Sequence, residues 1–219
     1  MIIVGICGGS GSGKSTFAER IRDGLSCSCE IMRLDCYYFD QGGKPFEERT
    51  KVNYDSPEIF DFDEMLADIR LLLDGKPVTR KGYNYAEHRR DDSEELMYPP
   101  EVLIIEGIHV FYDDRICDIM NLKLFIKVDS DICLLRRITR DMNERGRSFE
   151  SISEQYKATV KPMREKYIDR YIDKADVVVM RGGMNEQALK TTISYLKSCV
   201  KEQRLAESEK NESDGNDSE

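Results

Sequence analysis

No apolar run in these 219 residues approaches the ~20 needed to cross a bilayer, so the sequence predicts no membrane span. The N-terminus passes straight into an apolar stretch, and neither a signal peptide nor a transit segment is expected. Histidine is scarce, with two residues, and the seven cysteines are an odd, scattered set whose one close pair is Cys27-Ser28-Cys29. No second pair or nearby histidine completes a zinc set, so the expectation is free thiols in a reducing cytoplasm. A basic surplus is missing too: the net charge is −9, which argues against an extended nucleic-acid surface. No internal repeat is visible. With 40% hydrophobic and 34% charged residues, the composition is that of a soluble globular domain.

What is present begins at Gly8-Gly9-Ser10-Gly11-Ser12-Gly13-Lys14-Ser15, which fits G-x-x-x-x-G-K-[ST]. The apolar run from Ile2 to Cys7 reads as a buried strand feeding this loop. Thr16 to Leu25 reads as a helix leaving it, with Phe17, Ile21 and Leu25 on one face. Strand, glycine loop and helix form a phosphate-binding P-loop: backbone N–H groups converge on anionic oxygens at a helix N-terminus. Gly8, Ser10, Gly11, Ser12, Gly13, Lys14, Ser15 and Thr16 are therefore candidates to hold the triphosphate of ATP or GTP. Lys14 would reach the β- and γ-phosphates, and the Ser15 hydroxyl would coordinate Mg²⁺.

Further strands are expected at Glu30 to Leu34, Leu122 to Val128 and Val177 to Met180, with Val102 to Ile105 central. Helical spacing marks Phe62 to Leu73, Asp131 to Met142, Ser151 to Arg164 and Asn185 to Glu202. The alternation predicts a doubly wound α/β domain with a mainly parallel sheet over residues 1–203. A β-rich insertion is expected at about 77–98 and an arginine-rich lid at about 143–151. Residues 204–219 should be a disordered acidic tail; from Ala206 onward it carries a net charge of −5.

In such folds ligands bind beyond the carboxyl ends of the strands, which singles out Asp35 and Glu106. Glu106, beside the phosphate loop, is placed to hold the Mg²⁺ shell. Asp35 could accept the proton of an attacking hydroxyl. Arg136, Arg137, Arg140, Arg145 and Arg147 are the one basic concentration in an acidic chain. They suit either the charge that develops on a transferred phosphoryl group or a solvated helix face paired with Asp141 and Glu144. His88 lies among tyrosines and polar residues suited to a flat, hydrogen-bonding ligand, whereas His109 reads as a structural histidine.

Together these motifs, with Asn53-Tyr54-Asp55-Ser56-Pro57 and Gln155 before Lys161-Pro162, resemble the uridine (uridine–cytidine) kinases, relatives of phosphoribulokinase. The resemblance runs from the phosphate loop to about Gly183. It implies Asp35 as general base for the nucleoside 5′-hydroxyl, and Asp55, Arg137 and Arg147 at the ribose. It also implies Tyr83, His88 and Gln155 at the nucleoside, and Arg140 and Arg145 over the transferred phosphate. The family usually has Tyr-Asp-Phe where this chain reads Tyr83-Asn84-Tyr85, a proline at Gly82, histidine at Ser56 and aspartate at Met184. A homotetramer is implied only by the resemblance. The residues alone leave open the same chemistry on another small hydroxyl compound, and a nucleotide-gated switch.

Overall fold

Alternate side chains of the first strand point to opposite faces of the sheet, and both faces are covered. Ile3 and Cys7 join one apolar cluster, while Ile2, Val4 and Ile6 join another. This computed structural model describes the backbone of residues 1–216 and the side chains of residues 1–209. In chain order the strands are β1 (Ile2–Cys7), β2 (Cys29–Arg33), β3 (Val78–Asn84), β4 (Arg89–Met97), β5 (Val102–Glu106), β6 (Leu122–Lys127) and β7 (Val177–Met180). Five of them form a parallel sheet in the order β2-β5-β1-β6-β7, and β3 and β4 pair as a separate antiparallel hairpin. The expected excursion at 77–98 is that hairpin.

The helices are α1 (Lys14–Gly24), α2 (Phe46–Arg49), α3 (Phe62–Leu73), α4 (Asp114–Cys117), α5 (Ser130–Arg145), α6 (Phe149–Gln155), α7 (Lys161–Lys166) and α8 (Glu186–Asn216). On one face, α3 buries Met65, Leu66, Ile69 and Leu72 against the strands. The Asp61 side chain caps it, accepting from the Glu64 amide at 2.8 Å. On the other face, Phe17, Ala18 and Ile21 of α1 meet Leu189, Leu196 and Val200 of α8. Each fully buried aliphatic or aromatic side chain contributes roughly 1.5–3 kcal/mol.

Two expectations are corrected. The single helix expected at Ser151 to Arg164 is split into α6, a π-helical turn at Tyr156–Val160, and α7. Pro162 has no N–H to donate four residues back, and the widened turn accommodates that loss. The closing helix also runs through Asn216 rather than giving way to a disordered tail at residue 204. The residues that carry it past Glu202, Gln203-Arg204-Leu205-Ala206-Glu207, are all good helix formers. Gln203 donates to Glu207 at 2.9 Å, and Arg204 donates to Glu101 at 2.6 Å. The rest of the acidic tail, residues 217–219, lies outside the described residues.

Candidate active site

The loop after β1 turns through left-handed backbone at Gly11 (φ 83°) and Gly13 (φ 90°), which only glycine adopts cheaply. Side chains there would also collide: a Cβ at Gly11 would strike the Cys133 carbonyl, and one at Gly13 would crowd Gly183. The loop is drawn tight by the Ser12 amide on the Gly9 carbonyl, 3.0 Å, and α1 starts directly at Lys14. Its first N–H groups therefore face the concavity.

Ser15 and Glu106, the two residues expected at the cation, lie side by side. The Ser15 hydroxyl donates to Glu106 Oε1 at 3.1 Å, at the carboxyl end of β5. Arg33 Nε stands 3.7 Å from the same oxygen. Glu106 Oε2 is buried without a hydrogen-bond partner among the described residues. Burial raises the carboxyl pKa, opposed by Lys14 and by the Ser15 hydrogen bond. A hydroxyl beside an anionic oxygen with an unused lone pair suits a hard divalent cation. Elsewhere, no three His, Cys, Asp or Glu side chains cluster as a metal set among the described residues, and the seven cysteines are free.

Asp35 is not the last strand residue. Strand β2 ends at Arg33, and a 3₁₀ turn over Leu34–Tyr37 carries Asp35 out to the cleft. One cleft is lined by Ser10, Lys14, Asp35 and Asp55, by Tyr83 and His88 of the hairpin, and by Arg137, Arg140, Arg145, Arg147 and Gln155. Every expected catalytic and nucleoside-site residue thus lies on one surface with the edge of the phosphate loop.

Asp55 is almost fully buried, and its carboxylate accepts from the Thr159 hydroxyl at 2.9 Å. Thr159 lies in the π-helical turn, whose extra residue carries it to that position. Burial raises the Asp55 pKa, with Arg137 and then Thr159 opposing. Its carbonyl accepts from His109 Nε2 at 2.8 Å, and the Tyr171 hydroxyl lies 2.9 Å from Nδ1. Because a carbonyl can only accept, Nε2 carries the imidazole proton and Nδ1 accepts from Tyr171. The buried histidine is structural, as read from sequence, and it is held against a predicted site residue.

The hairpin tip is shaped by Asn84, whose Oδ1 accepts from the Ala86 and Glu87 amides, both at 3.0 Å. This turn places His88 at φ 50°, its ring stacked on Tyr54 at 5.0 Å. Burial first, then Arg147 and Arg49, lowers the His88 pKa, so the ring is neutral near pH 7. Neutral imidazole offers one donor and one acceptor to a ligand edge. The Tyr83 hydroxyl is buried without a well-aligned partner among the described residues.

Four of the five arginines converge on an acid, while Arg136 lies exposed on α5 and does not join them. Asp141 is fully buried, with Arg137 at 3.6 Å, Arg140 at 2.7 Å, Arg145 at 3.4 Å and Arg147 at 3.6 Å. Arg137 also donates to Ser10 at 3.0 Å and to Gln155 at 2.9 Å, linking α5 to the phosphate loop. A left-handed Gly146 (φ 62°) ends α5, and Ser148 caps α6 by accepting from the Ser151 amide at 3.2 Å. The solvated-face alternative fails for Asp141, because the carboxylate has no exposure.

Sequence reasoning missed Tyr85, Arg49 and Thr159. The Tyr85 hydroxyl donates to Asp35 Oδ2 at 2.7 Å. Arg49 donates to the Glu87 carbonyl under the hairpin tip. Only the aromatic run around His88 signalled the first, and nothing local signalled the other two.

The profile of the Phosphoribulokinase / Uridine kinase family matches residues 3–188. A uridine kinase of Ligilactobacillus salivarius (strain UCC118) is 41% identical over 201 residues, covering 91% of this chain and 94% of its own length. One from Streptococcus pyogenes (serotype M5, strain Manfredo) is 42% identical over 202 residues, covering 92% of this chain and 97% of its own. The solved structure of a phosphoribulokinase from Rhodobacter spheroides superposes with a TM-score of 0.61 at 16% identity, covering 82% of this chain and 69% of that one. Matched along most of its length by profile and relatives alike, the chain belongs to the phosphoribulokinase / uridine kinase family.

Proposed function

We propose that this chain is a uridine kinase, moving the γ-phosphoryl group of ATP or GTP to the 5′-hydroxyl of uridine, and of cytidine, in pyrimidine salvage. The observation that carries this reading is the single cleft joining Asp35, the buried Asp55, the Tyr83 hydroxyl and neutral His88 to Lys14 and the phosphate loop. A nucleoside offers what these groups lack. Its ribose hydroxyls donate to Asp55, and its pyrimidine edge meets Tyr83 and His88.

The loop amides and Lys14 bind the donor's phosphates. Asp35 accepts the proton of the 5′-hydroxyl as that oxygen bonds to the γ-phosphorus and the bond to the β-phosphate oxygen breaks. The products are the nucleoside 5′-monophosphate and ADP or GDP. Arg140 and Arg145 stabilise the charge on the transferred group, while Arg137 and Arg147, tied to Gln155, frame the nucleoside. Ser15 and Glu106 would hold Mg²⁺, which supplies neutralisation of the triphosphate charge.

A panel of acceptors tests the assignment: uridine, cytidine, ribulose 5-phosphate and glycerate, each with ATP and with GTP. Labelled uridine 5′-monophosphate is the expected principal product. Robust phosphorylation of a non-nucleoside with none of uridine would overturn it.

A further inference from the structure

The hydroxyl of Tyr85 lies on Asp35 and its ring lies under Arg145. The phenol donates to Asp35 Oδ2 at 2.7 Å, and the Arg145 guanidinium carbon stands 4.0 Å from the ring centroid. Three separate elements meet here: the 3₁₀ turn after β2, the hairpin tip and the end of α5. Tyr83 packs edge-on against the Tyr85 ring at 5.1 Å. The Asn84 turn just beyond fixes the tip from which Tyr85 projects.

We propose that Tyr85 is a positioning residue: it fixes the rotation of the Asp35 carboxylate and ties that orientation to the seating of Arg145. The inference rests on Asp35 being the base. Rotation about the terminal bond of an aspartate is soft, so an unheld carboxylate samples a broad range. A charge-assisted hydrogen bond to Oδ2 narrows that range and leaves Oδ1 for the incoming hydroxyl. The base then presents one oxygen, at a fixed angle, when the guanidinium that faces the phosphate is in place. Burial, then Asp35, raise the Tyr85 pKa far above the phenol range, so the group stays a donor across working pH. Phenylalanine, which the family pattern usually carries at this position, would supply the ring but not the donor.

Steady-state and single-turnover kinetics on wild type, Tyr85→Phe, Asp35→Asn and the double variant test this. The ring survives in Tyr85→Phe, and a melting curve checks the fold. Tyr85→Phe is expected to lower kcat about tenfold while the KM for uridine stays within about twofold. In the Asp35→Asn background the same change should cost less than about twofold, since Tyr85 acts through that carboxylate. Unchanged kcat in Tyr85→Phe, with Asp35→Asn inactive, would overturn the inference alone. An equal loss in both backgrounds would also overturn it, by showing an effect that bypasses Asp35. Full activity in Asp35→Asn would instead sink the assignment of the base.

Discussion

His109 donates its Nε2 proton to the carbonyl oxygen of Asp55 across 2.8 Å, inside a fully buried pocket. The imidazole has no room to charge. Burial lowers its pKa to about 4 from the usual 6.5. Below pH 6.5 the unfolded chain takes up a proton that the fold refuses, so stability falls with pH through this window and this contribution levels off near pH 4. The loss amounts to about 3 kcal/mol over the whole interval. Urea unfolding from pH 7 to 4 should show it, and His109→Gln, which keeps a donor for the carbonyl, should flatten the slope. An equally steep slope in His109→Gln would assign the effect elsewhere.

Asp141 is the shared counter-charge of Arg137, Arg140, Arg145 and Arg147. Asp141→Asn removes the charge and leaves the guanidinium groups to repel one another. Since the arginines keep some access to water, a stability loss of about 3 kcal/mol is expected, at the low end for a broken buried pair. The kcat should fall as well, because the arginines lose their common anchor. Unfolding curves within error of wild type would contradict the hub.

Glu106→Gln keeps the hydrogen-bonding shape beside Ser15 but removes the charge. The Mg²⁺ concentration giving half-maximal rate is expected to rise roughly 10- to 100-fold, with the maximal rate partly restored at high Mg²⁺. A Mg²⁺ titration superimposable on wild type would remove Glu106 from the cation site.

His88→Ala takes away a donor and an acceptor at the proposed pyrimidine edge. The KM for uridine should rise about tenfold with a smaller change in kcat. Any acceptor lacking a pyrimidine should be indifferent to the change. A uridine KM unaltered in His88→Ala would place the base elsewhere.

Much of this fold is written in local pattern. The strands of the parallel sheet are short, mainly apolar runs bounded by turn residues, unlike the polar hairpin strands β3 and β4, and the glycine loop names its own conformation through Gly11 and Gly13. Glu106 was legible because strand ends face the ligand in such sheets. Asp55 and Gln155 were legible only through resemblance, since nothing in their spacing brings positions so far apart together, whereas Tyr83 stood in the aromatic run around His88. Arg49 and Thr159 escaped because their partners, the Glu87 carbonyl and Asp55, are distant in sequence. Asp141 looked like a surface acid because helical periodicity cannot show that four arginines would fold over it.

The most direct measurement is single-turnover formation of uridine 5′-monophosphate by wild type and Asp35→Asn, with 5′-deoxyuridine as the control acceptor. Wild type should convert uridine and leave 5′-deoxyuridine untouched. Asp35→Asn should bind uridine normally and form product at least about 100-fold more slowly, as expected for loss of a general base. Wild-type rates in Asp35→Asn, or phosphate appearing on 5′-deoxyuridine, would contradict the account.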